Sequence, residues 1–268
     1  MISRVSEVGV PTKVPYVIGL RELVVLRTAR MSPSMIRVTL GGPDIEGFSS
    51  HVAEEHVRLI FPDEHGVLRL PERNGRGLTW PRPLPVSREY TVRRHDAGEL
   101  DIDIAVHASG IGSDWAERVQ PGERIPVAGP PGGRAVPQDY DRYLFAGDLT
   151  AQPQIARYLE RLPADAVGHA FVEVTGPEEE IPMSAPGGIA VTWVHRGAVV
   201  AEESDALGRA LRVVPPRADG ERLLAWAAAE AGVLKPIRGW LRDELGTEKQ
   251  HTVVTGYWKR GVADYDDD

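Results

Sequence analysis

The chain has 268 residues and no cysteine, which excludes disulfides, cysteine-ligated zinc or iron–sulfur centres and thiol chemistry. A formal net charge of −8 argues against a protein given over wholly to nucleic acid, and no uncharged apolar run reaches the ~18 residues of a membrane span. Hydrophobic residues at 42% and charged residues at 26% describe an ordinary globular chain, long enough for one large domain or two. Its start shows no apolar signal-peptide core, so the cytoplasm is the expected location. The 28 glycines and 22 prolines follow no repeat and point to many tight turns, hence a β-rich component.

The first half reads as strands. Residues 14–26 and 35–40 are β-branched runs, and Ile36-Arg37-Val38-Thr39-Leu40 alternates apolar with polar as a half-buried strand does. Residues 56–61 form the next strand, 71–87 a surface loop rich in Pro, Gly and Arg, and 90–93, 100–107 and 124–129 further strands. Several short strands at regular spacing predict an antiparallel barrel. Between the last two, Ser113 stands as an N-cap before a short helix over 114–119, stopped by Pro121-Gly122.

The pattern changes near residue 140. Strands over 140–147, 170–174, 189–194, 223–227 and 251–258 alternate with helices over 150–162, 202–212 and 233–245, which predicts a parallel α/β sheet. The expected domains are therefore 1–138 and 139–268.

Candidate chemistry sits at the ends of these strands. Arg88 and Tyr90 share one strand face, where a guanidinium can grip a phosphate and a phenol can cover a ring; an ordinary half-exposed strand is the alternative. His107 ends a strand before Gly110-Ile111-Gly112-Ser113, a glycine-rich helix entry of the kind that binds anions, though a strand-end histidine with satisfied bonds reads equally well. Asp148-Leu149-Thr150-Ala151 lies where a parallel sheet binds its ligands, with Thr150 either a helix cap or a nucleotide contact. Trp226 to Glu230 repeats that geometry, and Tyr257-Trp258-Lys259-Arg260 pairs aromatics with cations. No His-Glu-x-x-His, Walker loop or Gly-x-Ser-x-Gly elbow is present, and no metal site is expected.

Taken in order, Arg88-x-Tyr90-Thr91, Asp103-x-x-Val106-His107, Gly112-Ser113-x-Trp115-Ala116, Pro121-Gly122-Glu123, Gly129-Pro130, Asp148-x-Thr150-Ala151, Trp226-x-x-x-Glu230 and Tyr257-Trp258 resemble the siderophore-interacting proteins, flavin-dependent ferric-siderophore reductases of the ferredoxin-reductase-like superfamily. The resemblance runs from about Leu23 to Gly261. It implies an N-terminal antiparallel six-stranded FAD-binding barrel followed by a C-terminal parallel α/β nucleotide-binding domain. By the same resemblance, Arg88, Tyr90 and Thr91 hold FAD at its phosphate and isoalloxazine, His107 and Ala108 contact the flavin, and Gly112 with Ser113 cradles the pyrophosphate. Asp148, Thr150, Ala151, Trp226, Glu230 and Trp258 flank NADPH or NADH, and Arg134, Lys259 and Arg260 meet an anionic ferric siderophore. The implied activity is ferric-siderophore reduction, electrons passing from NAD(P)H through flavin to chelated Fe(III), with no nucleic-acid partner and no membrane insertion. A FAD-holding siderophore module without NAD(P)H turnover, or a flavoenzyme acting on another substrate, are the alternatives. Departures cluster on the nicotinamide side: the family commonly reads Asp-Glu-Thr-Ala-Leu-Pro-Ala-Ile where this chain has Asp148-Leu149-Thr150-Ala151-Gln152-Pro153-Gln154-Ile155, and Gly where it has Ala229, whose methyl would crowd a closely approaching backbone. The family also commonly has Gly-Pro at Gly110-Ile111.

Overall fold

The computed structural model describes residues 9–107 and 110–262, which divide into two compact units: Thr12–Ala135, and a second made of residues 9–11 with 136–262. In the first unit the strands are β1 (Thr12–Pro15), β2 (Leu20–Ser32), β3 (Met35–Gly41), β4 (Glu54–Phe61), β5 (Glu72–Asn74), β6 (Gly77–Thr79), β7 (Val86–Thr91), β8 (Arg94–Asp96), β9 (Glu99–Ala105), β10 (Arg124–Ala128) and β11 (Gly132–Ala135), with one helix, α1 (Ile111–Arg118). Six of these pair antiparallel in the order β7-β4-β10-β2-β3-β9. A bond from the Arg93 N–H, just past β7, to the Asp101 carbonyl of β9 (2.9 Å) joins the two ends of that order. β1 and β11 extend one side, β8 the other, and β5–β6 is a separate hairpin inside the segment expected to be a loop. Glu72, Arg73 and Asn74 carry no apolar stripe, so turn geometry rather than periodicity makes that hairpin.

The barrel core is aliphatic, with Val38, Leu40, Leu59, Ile102 and Ile104 almost wholly buried. β9 departs from its alternating pattern, because Asp101 and Asp103 are also buried. A buried carboxylate needs a partner, and each finds one across the ladder: Asp103 takes a two-pronged grip from Arg37 (2.7 and 2.8 Å), which stands opposite it in β3. Asp101 accepts from Thr39 (2.7 Å), also opposite, and from Arg94 (2.8 Å). Polar residues in β9 therefore mark cross-strand pairing, not a wet face.

The second unit holds β12 (Arg142–Asp148), α2 (Gln152–Leu159), β13 (Val167–Val174), β14 (Gly188–His195), α3 (Ala206–Ala210), β15 (Leu223–Glu230), α4 (Ala231–Asp243) and β16 (Thr252–Trp258). All five strands are parallel, in the order β14-β13-β12-β15-β16. The order reverses between β12 and β15, the switch point at whose carboxyl edge such sheets place ligands. The helix expected over 202–212 is instead a string of short turns around α3, whose first N–H groups, on Ala206 and Leu207, donate to the Ser204 hydroxyl and the Glu173 carboxylate.

Candidate functional site

The barrel unit builds its site where β7 meets α1. In β7, Arg88 and Tyr90 stand opposite Leu59 and Val57 of β4, and Tyr90 packs on the barrel core. Burial pushes the Tyr90 hydroxyl up to about 12, so it remains a neutral phenol. Ser87 and Glu89 face the other way and take hydrogen bonds from Arg58. Thr91 ends the strand, nine-tenths buried.

The helix begins earlier than its sequence suggests. Gly110 is the N-cap and supplies no side-chain bond, so the first amide N–H groups of α1 are left uncapped. Ser113, expected to be the cap, lies inside the first turn: its hydroxyl accepts from the His107 N–H (3.1 Å) and donates to the Ala105 carbonyl (3.3 Å). It staples the end of β9 to the helix instead. Glycine makes room here for two neighbouring side chains. A Cβ on Gly112 would lie 1.8 Å from the Tyr90 hydroxyl oxygen, and one on Gly110 would lie 2.5 Å from Cε1 of His107. Open amide groups at a positive helix end and a glycine cradle fit a pyrophosphate, so the residues present suit FAD; the Arg88 guanidinium, on the strand that carries Tyr90, donates to the Ser87 carbonyl (2.6 Å). Beside α1 a cleft of about 320 Å³ opens between Phe61, Pro62 and Trp115. Ala108, expected to touch the flavin, lies outside the described residues.

In the second unit, the residues expected to flank NAD(P)H turn toward one another. Asp148, at the end of β12 and 8% exposed, accepts from the Thr150 N–H (2.9 Å) and hydroxyl (2.5 Å), the Glu230 N–H (3.1 Å) and the Trp258 indole (2.9 Å). Burial nevertheless holds its carboxyl above the ordinary value, those bonds only offsetting part of the effect. Glu230 ends β15, and its carboxylate caps α4 by accepting from the Gly232 and Val233 N–H groups, while taking a further bond from the Arg260 N–H (3.3 Å). Trp226 and Ala151, also expected to flank NAD(P)H, are 1% and 0% exposed, and the Trp226 ring packs on Tyr158 and Tyr257. The Ala229 methyl, expected to crowd a ligand, belongs to the hydrophobic core beside a bulge in β15.

Among the expected chelate-binding cations, Arg134 pairs with Glu54 (3.2 Å) and Arg260 with Glu202 (3.2 Å) and Glu203 (3.0 Å). Lys259 is exposed. Sequence reasoning missed Glu173. It is the penultimate residue of β13, in register with Asp148, is 4% exposed, and accepts from Ser204 (2.9 Å) and the Leu207 N–H (3.0 Å). Burial and the neighbouring Asp148 charge raise its carboxyl. The available signal was an acid closing each of three apolar runs: Phe145-Ala146-Gly147-Asp148, Phe171-Val172-Glu173 and Ala228-Ala229-Glu230.

Both units have recognisable relatives. Residues 24–134 match the siderophore-interacting FAD-binding domain and residues 140–261 the siderophore-interacting protein domain. Ferric vibriobactin reductase of Vibrio cholerae is 35% identical over 245 residues, 90% of each chain. The NADPH-dependent ferric-chelate reductase of Escherichia coli is 32% identical, covering 92% of this chain and 96% of that one. A siderophore utilization protein from T. fusca superposes with a TM-score of 0.88 at 39% identity, covering 96% of this chain and 99% of that one. With a glycine-cradled helix start on the barrel, a parallel sheet after it and relatives matched along nearly their whole length, the chain belongs to the siderophore-interacting protein family.

Proposed function

We propose that the protein is a ferric-siderophore reductase that uses FAD and takes its electrons from NADPH or NADH. The observation that carries this reading is the uncapped start of α1 held against Tyr90 by Gly112, in a unit that matches an FAD-binding domain. Ferric reduction is the named activity of relatives spanning nine-tenths of this chain, which supports it.

Bound FAD supplies the electron chemistry, accepting a hydride's two electrons and yielding them singly. The chain's own groups bind and orient. The amide N–H groups of α1 would donate to the pyrophosphate, the Arg88 guanidinium would offset its charge, and the Tyr90 phenol would give a neutral ring and donor. The substrate is the chelated iron. Hard oxygen donors hold Fe(III) more tightly than Fe(II), so adding one electron loosens the chelate without a protein metal ligand. Lys259 is the first choice for contact with an anionic chelate, because Arg134 and Arg260 already have carboxylate partners.

A second reading, a FAD-holding siderophore module without NAD(P)H turnover, is favoured by one observation. The start of α4 at the switch-point edge, where nucleotide phosphates would seek amide donors, is filled by the Glu230 carboxylate. Purified protein reconstituted with FAD and titrated anaerobically separates the two. The reductase reading expects NADPH or NADH to bleach the flavin, and added ferric siderophore to recolour it while a ferrous chelator traps Fe(II). Retained flavin that neither nucleotide bleaches supports the holder, and failure to retain FAD overturns both.

A further inference from the structure

A basic and apolar arm leaves the first unit between β4 and β7. Pro71 and Pro85 are buried and anchor it. Between them β5 and β6 pair through a two-residue turn at Gly75-Arg76, with Gly75 at φ 59°. The Arg76 carbonyl accepts from the Ile18 N–H (3.0 Å) and the Arg73 guanidinium donates to the Leu20 carbonyl (3.1 Å), which ties the hairpin to the start of β2. Residues 67–84 hold four arginines and one acid, Glu72, in a chain of net charge −8. Elsewhere in the unit arginines meet carboxylates, as Arg37 meets Asp103 and Arg124 meets Glu22. Here Arg76 and Arg82 have no side-chain partner among the described residues, and Arg73 has only that backbone carbonyl. Burial, then the charge of Arg73, lowers the Arg21 guanidinium, with Asp44 opposing, so Arg73 has a second cation as its neighbour. The same segment keeps large hydrophobic side chains in water: Val67, Leu68, Leu70 and Leu84 are 42–51% exposed, and Val17, next to Ile18, is 59% exposed. Trp80 is half-buried under the Arg58 guanidinium, 5.7 Å from its ring centroid.

We propose that this arm is a docking surface for an anionic lipid membrane. Arg73, Arg76 and Arg82 meet the lipid phosphates, and the exposed leucines and valines enter the boundary between headgroups and acyl chains. Charge complementarity carries the assignment: the chain as a whole is repelled by an anionic surface, and the arm is the part whose cations lack acids of their own. Arginine suits the task, since its apolar stem lies along hydrocarbon while its planar head reaches phosphate. The alternation of Leu68-Arg69-Leu70 and Trp80-Pro81-Arg82-Pro83-Leu84 puts both kinds of contact within one short segment. A protein partner needs a complementary contour of roughly 800 Å² a side. A fluid lipid surface needs none, and it suits side chains that project singly from a hairpin and its flanks. The contact is peripheral and weakens with salt, because each arginine acts through a screened charge.

The test sediments the full-length protein with vesicles of phosphatidylcholine alone and with vesicles carrying phosphatidylglycerol as well, at low and at raised ionic strength. Partition onto the anionic vesicles alone, falling as salt is added, is expected. Arg73→Gln, Arg76→Gln and Arg82→Gln combined are expected to weaken it about 100-fold, at about fivefold for each charge. Leu68→Ser with Leu70→Ser leaves the charge unchanged and is expected to weaken it several-fold. Equal partition onto both vesicle types, partition onto neither, or a triple arginine variant that binds as the parent does overturns the proposal. Retention on immobilised polyglutamate with no vesicle binding assigns the arm to an acidic protein surface and likewise overturns it. Near-UV circular dichroism checks that the variants are folded, and the arginine variant carries the test should the leucine variant fail to fold. The assay involves neither flavin nor turnover, so its failure leaves the reductase reading untouched.

Discussion

Gly112 shows how a single missing side chain sets a site. Its position places the first turn of α1 against the Tyr90 hydroxyl, with no space for a methyl. Gly112→Ala forces the ring or the helix to shift, at about 1–3 kcal/mol for overpacking, and FAD affinity measured by flavin fluorescence is expected to fall roughly 5- to 150-fold; unchanged affinity would show that the cradle does not contact the cofactor. The motif Gly-x-Gly-Ser was legible in the sequence, but the reason for its second glycine was not, because Tyr90 is distant in the chain. Gln152 is the converse case. It is 2% exposed, its side-chain oxygen meets no hydrogen-bond donor among the described residues, and its family counterpart is commonly Leu. Removing an unsatisfied buried acceptor stabilises by about 1–3 kcal/mol, so Gln152→Leu is expected to raise the urea midpoint with an unchanged slope.

At the scale of elements, buried carboxylates do much of the joining. Glu55, 1% exposed, accepts from Ser50 (2.5 Å), Tyr16 (2.8 Å) and the His51 and Val52 N–H groups (2.6 and 2.8 Å), tying the segment before β4 to the strand. Burial alone would raise its carboxyl, but those four bonds together outweigh it and hold the value below the ordinary 4.5. A depressed carboxyl contributes stability that is complete above 4.5 and is lost as pH falls toward its folded value. Glu55→Gln is therefore expected to flatten the acid limb of stability against pH, seen in urea midpoints collected from neutral pH downward; parallel limbs for parent and variant would remove Glu55 from the account. Asp148 and Glu173 work the other way. Burial raises both, so their ionisation opposes the folded state as pH rises through their folded values. Strand existence was readable from alternation, whereas the pairing of Asp101 and Asp103 with β3 was not, since periodicity records polarity and not its partner.

At the scale of the whole molecule, the ligand that binds only the folded chain stabilises it by mass action. FAD at a hundred times its dissociation constant is expected to add about 2.7 kcal/mol to the stability of the unit that binds it. Hydrogen exchange should register the protection at β7 and α1, and Gly112→Ala at the same FAD concentration should lose between about a third and nine-tenths of it. Protection confined to β12–β16 instead would move the flavin site to the other unit.

The sequence by itself determined the two architectural styles, the change between them near residue 140, and the ordered motifs that mark the family, because hydrophobic period, turn residues and strand-end polarity are local properties of the chain. Tertiary structure alone decided which motif residues are open to a ligand. Ser113, Asp148 and Glu230 carry the right chemistry for binding, yet Ser113 bonds the end of β9, Asp148 gathers Thr150, Glu230 and Trp258, and Glu230 caps its own helix. The physical reason is that a buried polar group must find a partner within reach, and reach is set by folds that bring residues distant in the chain to adjoining strand ends.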